Sequence, residues 1–97
     1  MAGTISKEEF KEKLDSGEYT LIDVRMQSEH DQIKIADSEV FDISQPDFSQ
    51  KIESLNKEGK YLLYCASGAR SASALNFMSQ SGFKEVYDLE GGIMNWN

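Results

Sequence analysis

The chain has 97 residues, 39% hydrophobic and 28% charged, a length of about one domain and a composition too apolar for a disordered tail. Ten Lys and Arg against 17 Asp and Glu give a net charge of −7, which repels phosphate backbones and anionic lipid heads and so speaks against nucleic-acid and membrane partners. The longest apolar run, Tyr61 to Ala66, is too short for a membrane span or a signal peptide, and the single cysteine leaves no internal disulfide and no zinc cluster, so the cytoplasm is the expected compartment.

In chain order, Ser6-Lys7-Glu8-Glu9 reads as a capping box opening a helix. Phe10 and Leu14 share one face of it, and Gly17 is placed to end it. Thr20 to Val24 is a short β-branched, apolar run that predicts a strand, and Ser28 offers a cap for a short helix ending near Ile33. Val40 to Ile43 predicts another brief strand, and Pro46 lies in a polar connection. Asp47 to Lys57 carries Phe48, Ile52 and Leu55 on one helical face, with Gly59 just beyond. Tyr61 to Cys65 is continuously apolar, as a strand covered on both faces must be. Arg70 to Ser81 suits a helix closed by Gly82, and Val86 to Leu89 is the last strand, followed by Gly91-Gly92 and Trp96. Helices alternating with strands favour an α/β domain with a mostly parallel sheet and helices on both faces. In such folds ligands bind beyond the carboxyl ends of strands.

Beyond the central strand the chain reads Cys65-Ala66-Ser67-Gly68-Ala69-Arg70-Ser71. Small side chains at Ala66, Ser67, Gly68 and Ala69 leave successive backbone N–H groups free to form an anion nest. The following helix adds its own free N–H groups and positive dipole end. A thiol held there has a lowered pKa and becomes a nucleophile. Arg70 breaks a local rule, because a cation in the first turn opposes the macrodipole. Such violations cluster where function requires them, and here Arg70 adds positive potential to an anion site. A lone cysteine ending an apolar strand is by itself an inert core residue; the combination with the loop, the arginine and the helix points to chemistry.

These motifs resemble the single-domain rhodaneses, a family of sulfurtransferases, over nearly the whole chain. Leu21-Ile22-Asp23-Val24-Arg25 with Glu29 is similar to the family's first signature. Cys65 to Ser71 is similar to its active-site loop, and Gly82-Phe83, Val86-Tyr87, Leu89-Glu90-Gly91-Gly92-Ile93 and Trp96 to its closing signature. The resemblance implies a single rhodanese-like domain over residues 1–97, with a central, mostly parallel five-stranded sheet flanked by helices. It implies that Cys65 takes the outer sulfur of a donor such as thiosulfate to become a persulfide. The loop amides and Arg70 then hold the terminal sulfur's charge, and a thiophilic acceptor, cyanide or a thiol, removes it. No metal and no organic cofactor is implied. The expected partners are a small-molecule or protein sulfur donor and acceptor.

Two other readings accompany this resemblance. Cysteine-dependent phosphatases of the same fold carry five residues between Cys and Arg, whereas this chain has four, Ala66 to Ala69, which predicts a smaller cradle. Binding modules of the family typically lose the cysteine, which is kept here, and the lack of a second Cys argues against a disulfide relay. The segment Ile33 to Ser38 departs from the family's Gly-His-Ile-Pro-Gly-Ala, with Lys34 in the His position and Ile33 and Asp37 replacing glycines. Asp23 and Arg25 are read as structural support, positioning the loop after their strand by charge-assisted hydrogen bonds. His30, between Glu29 and Asp31, is expected to be exposed and solvated. With one charge in the cysteine loop and a net charge of −7, the chain should steer anionic donors poorly, so a persulfide donor is the expected alternative to thiosulfate.

Overall fold

The computed structural model describes residues 1–96. Five strands, β1 (Ala2–Ile5), β2 (Thr20–Asp23), β3 (Glu39–Val40), β4 (Lys60–Tyr64) and β5 (Glu85–Leu89), form one sheet in the order β1-β5-β4-β2-β3. All four pairings are parallel. Helices α1 (Lys7–Asp15), α2 (Gln27–Gln32), α3 (Phe48–Glu53) and α4 (Ala69–Gln80) supply the connections, and a 3₁₀ turn spans Ile93–Asn95. The expected α/β fold is therefore the observed one. Among the described residues no helix is long and apolar enough to cross a membrane.

The central strand explains the two-sided architecture. Side chains alternate across a strand, so β4 sends Tyr61 and Leu63 to one face and Leu62 and Tyr64 to the other, all buried. On the first face they meet Phe48 and Ile52 of α3 and Ala74 and Met78 of α4. On the second they meet Phe10 of α1 and Ile35. Phe10 is fully buried and packs edge-on against Trp96 with ring centroids 5.6 Å apart, which ties the C-terminal segment to α1. Burying such a side chain contributes ~1.5–3 kcal/mol.

Local signals place most element ends. Ser6 Oγ accepts from Glu9 N at 3.2 Å, and Gly17 leaves α1 with φ 75°. Three expectations need correction. Ser28 lies inside α2 rather than capping it; the cap position is Met26, whose N–H donates to Glu29 Oε1 at 3.1 Å. Helix α3 stops at Glu53 instead of reaching Lys57. Asn56 Oδ1 accepts from Glu58 N at 3.0 Å, a local turn that competes with helix continuation. Strand β3 covers only Glu39–Val40, although Phe41 N and Ile43 N still donate to Asp23 O and Val24 O beyond it. Strand β1 is short and mixed, with Ala2 and Gly3 disfavouring a strand and Thr4 and Ile5 favouring one, and it becomes an edge strand through parallel pairing with Val86 to Leu89.

Candidate active site

Strand β4 delivers Cys65 to its carboxyl end, 1% exposed. The chain then turns over Ala66, Ser67 and Gly68 into α4. Gly68 takes φ 110° at the N-cap of α4, which glycine adopts without a Cβ clash. This conformation aims Gly68 N at Cys65 Sγ, 3.0 Å away, and Ser71 N approaches the same sulfur at 3.3 Å. Burial pushes the Cys65 thiol up, but its hydrogen bond with the Ser71 hydroxyl and those from the Ser71, Gly68 and Ser67 amides outweigh it, so the thiol lies below its ordinary value. The amides and the α4 N-terminus thus form a cradle that favours negative charge on sulfur.

Arg70 stands in the first turn of α4, half-exposed. Its Nη1 and Nη2 donate to Glu29 Oε1 and Oε2 at 2.7 and 3.0 Å. A bidentate carboxylate from α2 therefore offsets the unfavourable placement of a cation at a helix start. The pair spans 41 residues of sequence, and it holds α2 against the cysteine loop. The Arg70 hydrogen bonds held Glu29 down most strongly, to a pKa of about 2. The guanidinium lies on Glu29 rather than on the sulfur, and the contacts to Sγ come from Gly68 and Ser71.

Asp23 and Arg25 sit just behind this wall. Arg25 Nε and Nη2 grip Asp23 at 2.9 to 3.1 Å and 2.7 Å, and Nη2 also donates to Ile33 O at 2.6 Å. Burial opposes ionisation of Asp23, but hydrogen bonds from Arg25 and His30 outweigh it and hold the carboxyl below its usual range. The pair ties the end of β2 to Ile33 O at the end of α2. His30 is not exposed: it is 9% exposed, with Nδ1 3.0 Å from Asp23 Oδ2. One turn of α2 points Glu29 toward Arg70 and His30 inward, a distinction invisible in a uniformly polar stretch. In the divergent segment, Ala36 takes φ 49°, and Tyr64 OH accepts from Ile35 N at 3.2 Å and bonds Ser38 Oγ at 2.9 Å. The buried Tyr64 thereby secures this loop from the base of the site.

Gly91 and Gly92 support the cysteine loop from behind. Ile93 N donates to Cys65 O at 2.8 Å and Met94 N to Ala66 O at 3.1 Å. Gly92 lies so close that a Cβ there would stand 2.4 Å from Ala66 O. Two residues with no assigned role in the sequence reading also join the site. Ser71 Oγ lies 2.7 Å from Asp88 Oδ2, and both residues are buried. The available signal was a carboxylate inside the apolar strand Val86 to Leu89, since buried acids are rarely left without hydrogen-bond partners. Among the described residues, no group of three His, Cys, Asp or Glu side chains converges to hold a metal ion. A surface cavity of about 330 Å³ lined by Lys7, Glu8, Lys11 and Trp96 shares no residue with the cysteine loop.

Comparison with known proteins agrees with this geometry. A family model described as the rhodanese-like domain matches residues 6–97. The putative sulfurtransferase YtwF of Bacillus subtilis is 37% identical over 93 residues, covering 95% of this chain and 87% of that protein. The probable adenylyltransferase/sulfurtransferase MoeZ of Mycobacterium tuberculosis is 35% identical over 94 residues; the match covers 96% of this chain but only 24% of that protein. The crystal structure of a rhodanese-related protein from Thermoplasma volcanium superposes with a TM-score of 0.83 at 36% identity, covering 96% of this chain and 88% of that one.

Proposed function

The chain belongs to the rhodanese-like domain family, and from that premise we propose that residues 1–97 form one sulfurtransferase domain that carries sulfane sulfur on Cys65. The observation that carries this reading is the pair of backbone amides 3.0 and 3.3 Å from Cys65 Sγ. The Cys65 thiolate attacks the outer sulfur of a donor such as thiosulfate. A new S–S bond forms, the old one breaks, and sulfite leaves with the bonding electrons. The terminal sulfur of the resulting persulfide carries the charge, facing the amides of Ser67, Gly68 and Ser71, with Ala66 and Ala69 keeping bulky side chains out of the cradle. A thiophilic acceptor, cyanide or a thiol, then bonds the outer sulfur, and the Cys65 thiolate is released. Preorganised donors of this kind are worth most where charge develops and water is excluded.

Arg70 contributes positive potential at the rim and, through Glu29, fixes the wall of the cradle. Asp23 and Arg25 support that wall. The chemistry calls for no metal and no organic cofactor. The partners are a sulfur donor and an acceptor, small molecules or proteins. A thiol that must stay reduced between turnovers suits a cytoplasmic location.

The test is to mix purified protein with thiosulfate and cyanide and measure thiocyanate. Wild type is expected to form it and Cys65→Ser to lose it. A folded wild type inactive with every sulfane donor overturns the enzyme reading in favour of a binding module. Cys65-dependent hydrolysis of an aryl phosphate without sulfur transfer overturns it in favour of a phosphatase.

A further inference from the structure

Cys65 shares a hydrogen-bonding hydroxyl with a second buried acid. Ser71 Oγ lies 2.7 Å from Asp88 Oδ2, 3.3 Å from Gly68 O and 3.5 Å from Cys65 Sγ. A serine hydroxyl has one proton to donate. The short contact to Asp88 takes it, so Ser71 Oγ turns a lone pair to the sulfur and accepts from the thiol. Asp88 is 1% exposed, and its other oxygen accepts from Thr4 Oγ1 of β1 at 2.5 Å. The other charged groups near Cys65 are already matched. Arg70 of α4 pairs with Glu29 of α2, and Asp23 of β2 pairs with Arg25 and His30.

We propose that Asp88 is a positioning residue that acts through the Ser71 hydroxyl to set how readily Cys65 ionises. This rests on the reading of Cys65 as the sulfur-carrying nucleophile. When the thiol ionises and its proton leaves to water, the thiolate is best served by the Ser71 proton. Giving it that proton takes a donor from a buried carboxylate. The competition limits stabilisation of the thiolate and keeps it basic, and thiolate nucleophilicity falls as thiol pKa falls. In the persulfide the charge sits on the outer sulfur, so Ser71 serves Asp88 again. When the acceptor removes that sulfur, charge returns to Sγ and Ser71 turns back to it. The hydroxyl thus alternates between two acceptors as the charge moves, with no bond made or broken in the switch.

Asp88→Asn is the diagnostic change. The asparagine amide donates to Ser71 Oγ, which frees the hydroxyl proton for the sulfur. Cys65 is the single cysteine, so the ultraviolet absorbance of its thiolate, read against Cys65→Ser, follows one site as pH rises. The inflection of Asp88→Asn is expected about one pH unit or more below wild type, the size one charge-assisted hydrogen bond gives. Ser71→Ala is expected to move the inflection up, and Asp88→Asn added to Ser71→Ala to move it by less than half as much as in wild type. A purely structural Asp88 would change melting temperature and leave the inflection alone. A folded Asp88→Asn protein with an unchanged or raised inflection overturns the proposal. A full-sized shift in the Ser71→Ala background also overturns it, because Asp88 then acts on the sulfur directly. Should Asp88→Asn fail to fold, Ser71→Ala decides, and an unchanged inflection there overturns the proposal. Thiocyanate formation by wild type is measured separately: its absence removes the sulfur-transfer reading and leaves the titration result standing.

Discussion

Replacing Gly92 with alanine strikes the backbone of the cysteine loop without changing any residue of that loop. Gly92 has φ 66° and ψ −165°, a region occupied essentially by glycine alone, where other residues bear strain of order 1–3 kcal/mol. Its added Cβ would lie 2.4 Å from Ala66 O and 2.5 Å from Cys65 O. Ordinary contact begins at 3.4 Å, so the Ala66 carbonyl must retreat by about 1 Å. That retreat stretches the bonds that Ile93 N and Met94 N make to the same two carbonyls, each worth about 1 kcal/mol. Strain and lost bonds together come to about 3–5 kcal/mol. At ~4–8 °C per kcal/mol for a domain of this size, the melting temperature should fall by about 12 °C or more. Gly17→Ala is the matched control: φ is positive there too, at 75°, but nothing lies within 4 Å of the new Cβ. It should lose only the ~1–2 kcal/mol of a left-handed alanine and keep full sulfur transfer. A misplacement of about 1 Å passed on from outside the reacting centre costs roughly 100-fold, so Gly92→Ala, which shifts the loop carrying Cys65, should lose activity on that scale even where it is folded. Thermal melts by circular dichroism and thiocyanate assays on the three proteins check both parts. Equal melting temperatures for the two variants, or full activity in folded Gly92→Ala, would refute the reasoning.

Arg70→Met should leave the protein folded and lower kcat/KM for thiocyanate formation by about 10- to 100-fold, the equivalent of one charge-assisted hydrogen bond. Arg70→Lys should recover only part, because an ammonium cannot fork onto both Glu29 oxygens; a folded, fully active Arg70→Met protein would exclude any role for the guanidinium. Glu29 is depressed to about 2 by Arg70, so its contribution to stability is present above the unfolded carboxylate range near ~4.3 and lost as pH falls toward the folded value. The melting-temperature gap between wild type and Glu29→Gln should accordingly be a few degrees near neutrality, modest because the pair is partly solvated, and close as pH falls to about 2; a gap constant across that window would contradict the assignment.

What the sequence determined by itself lies in contacts a few residues apart. The capping serine Ser6, the face shared by Phe10 and Leu14, the glycine exit at Gly17 and the unbroken apolar run of β4 are local preferences, and each is realised in place. The same holds for the cysteine loop: small residues between Cys65 and Arg70 and a helix directly after them suffice to direct Gly68 N and Ser71 N at the sulfur. Tertiary structure decided everything that needs a partner far along the chain. Ala2 to Ile5 is a strand because β5 offers it a free edge, the preference of Thr4 and Ile5 being offset by Ala2 and Gly3. His30 is buried because Asp23 waits beneath α2, and Arg70 tolerates its helix start because Glu29 reaches it across 41 residues. Ser71 and Asp88 carry no local signal of their meeting, which follows from laying α4 across β5. Gly92 is required only because the chain after β5 returns to within 2.4 Å of the cysteine loop. Side-chain preferences act over a turn or two of backbone, whereas charge pairing and close approach depend on which surfaces the folded sheet brings together.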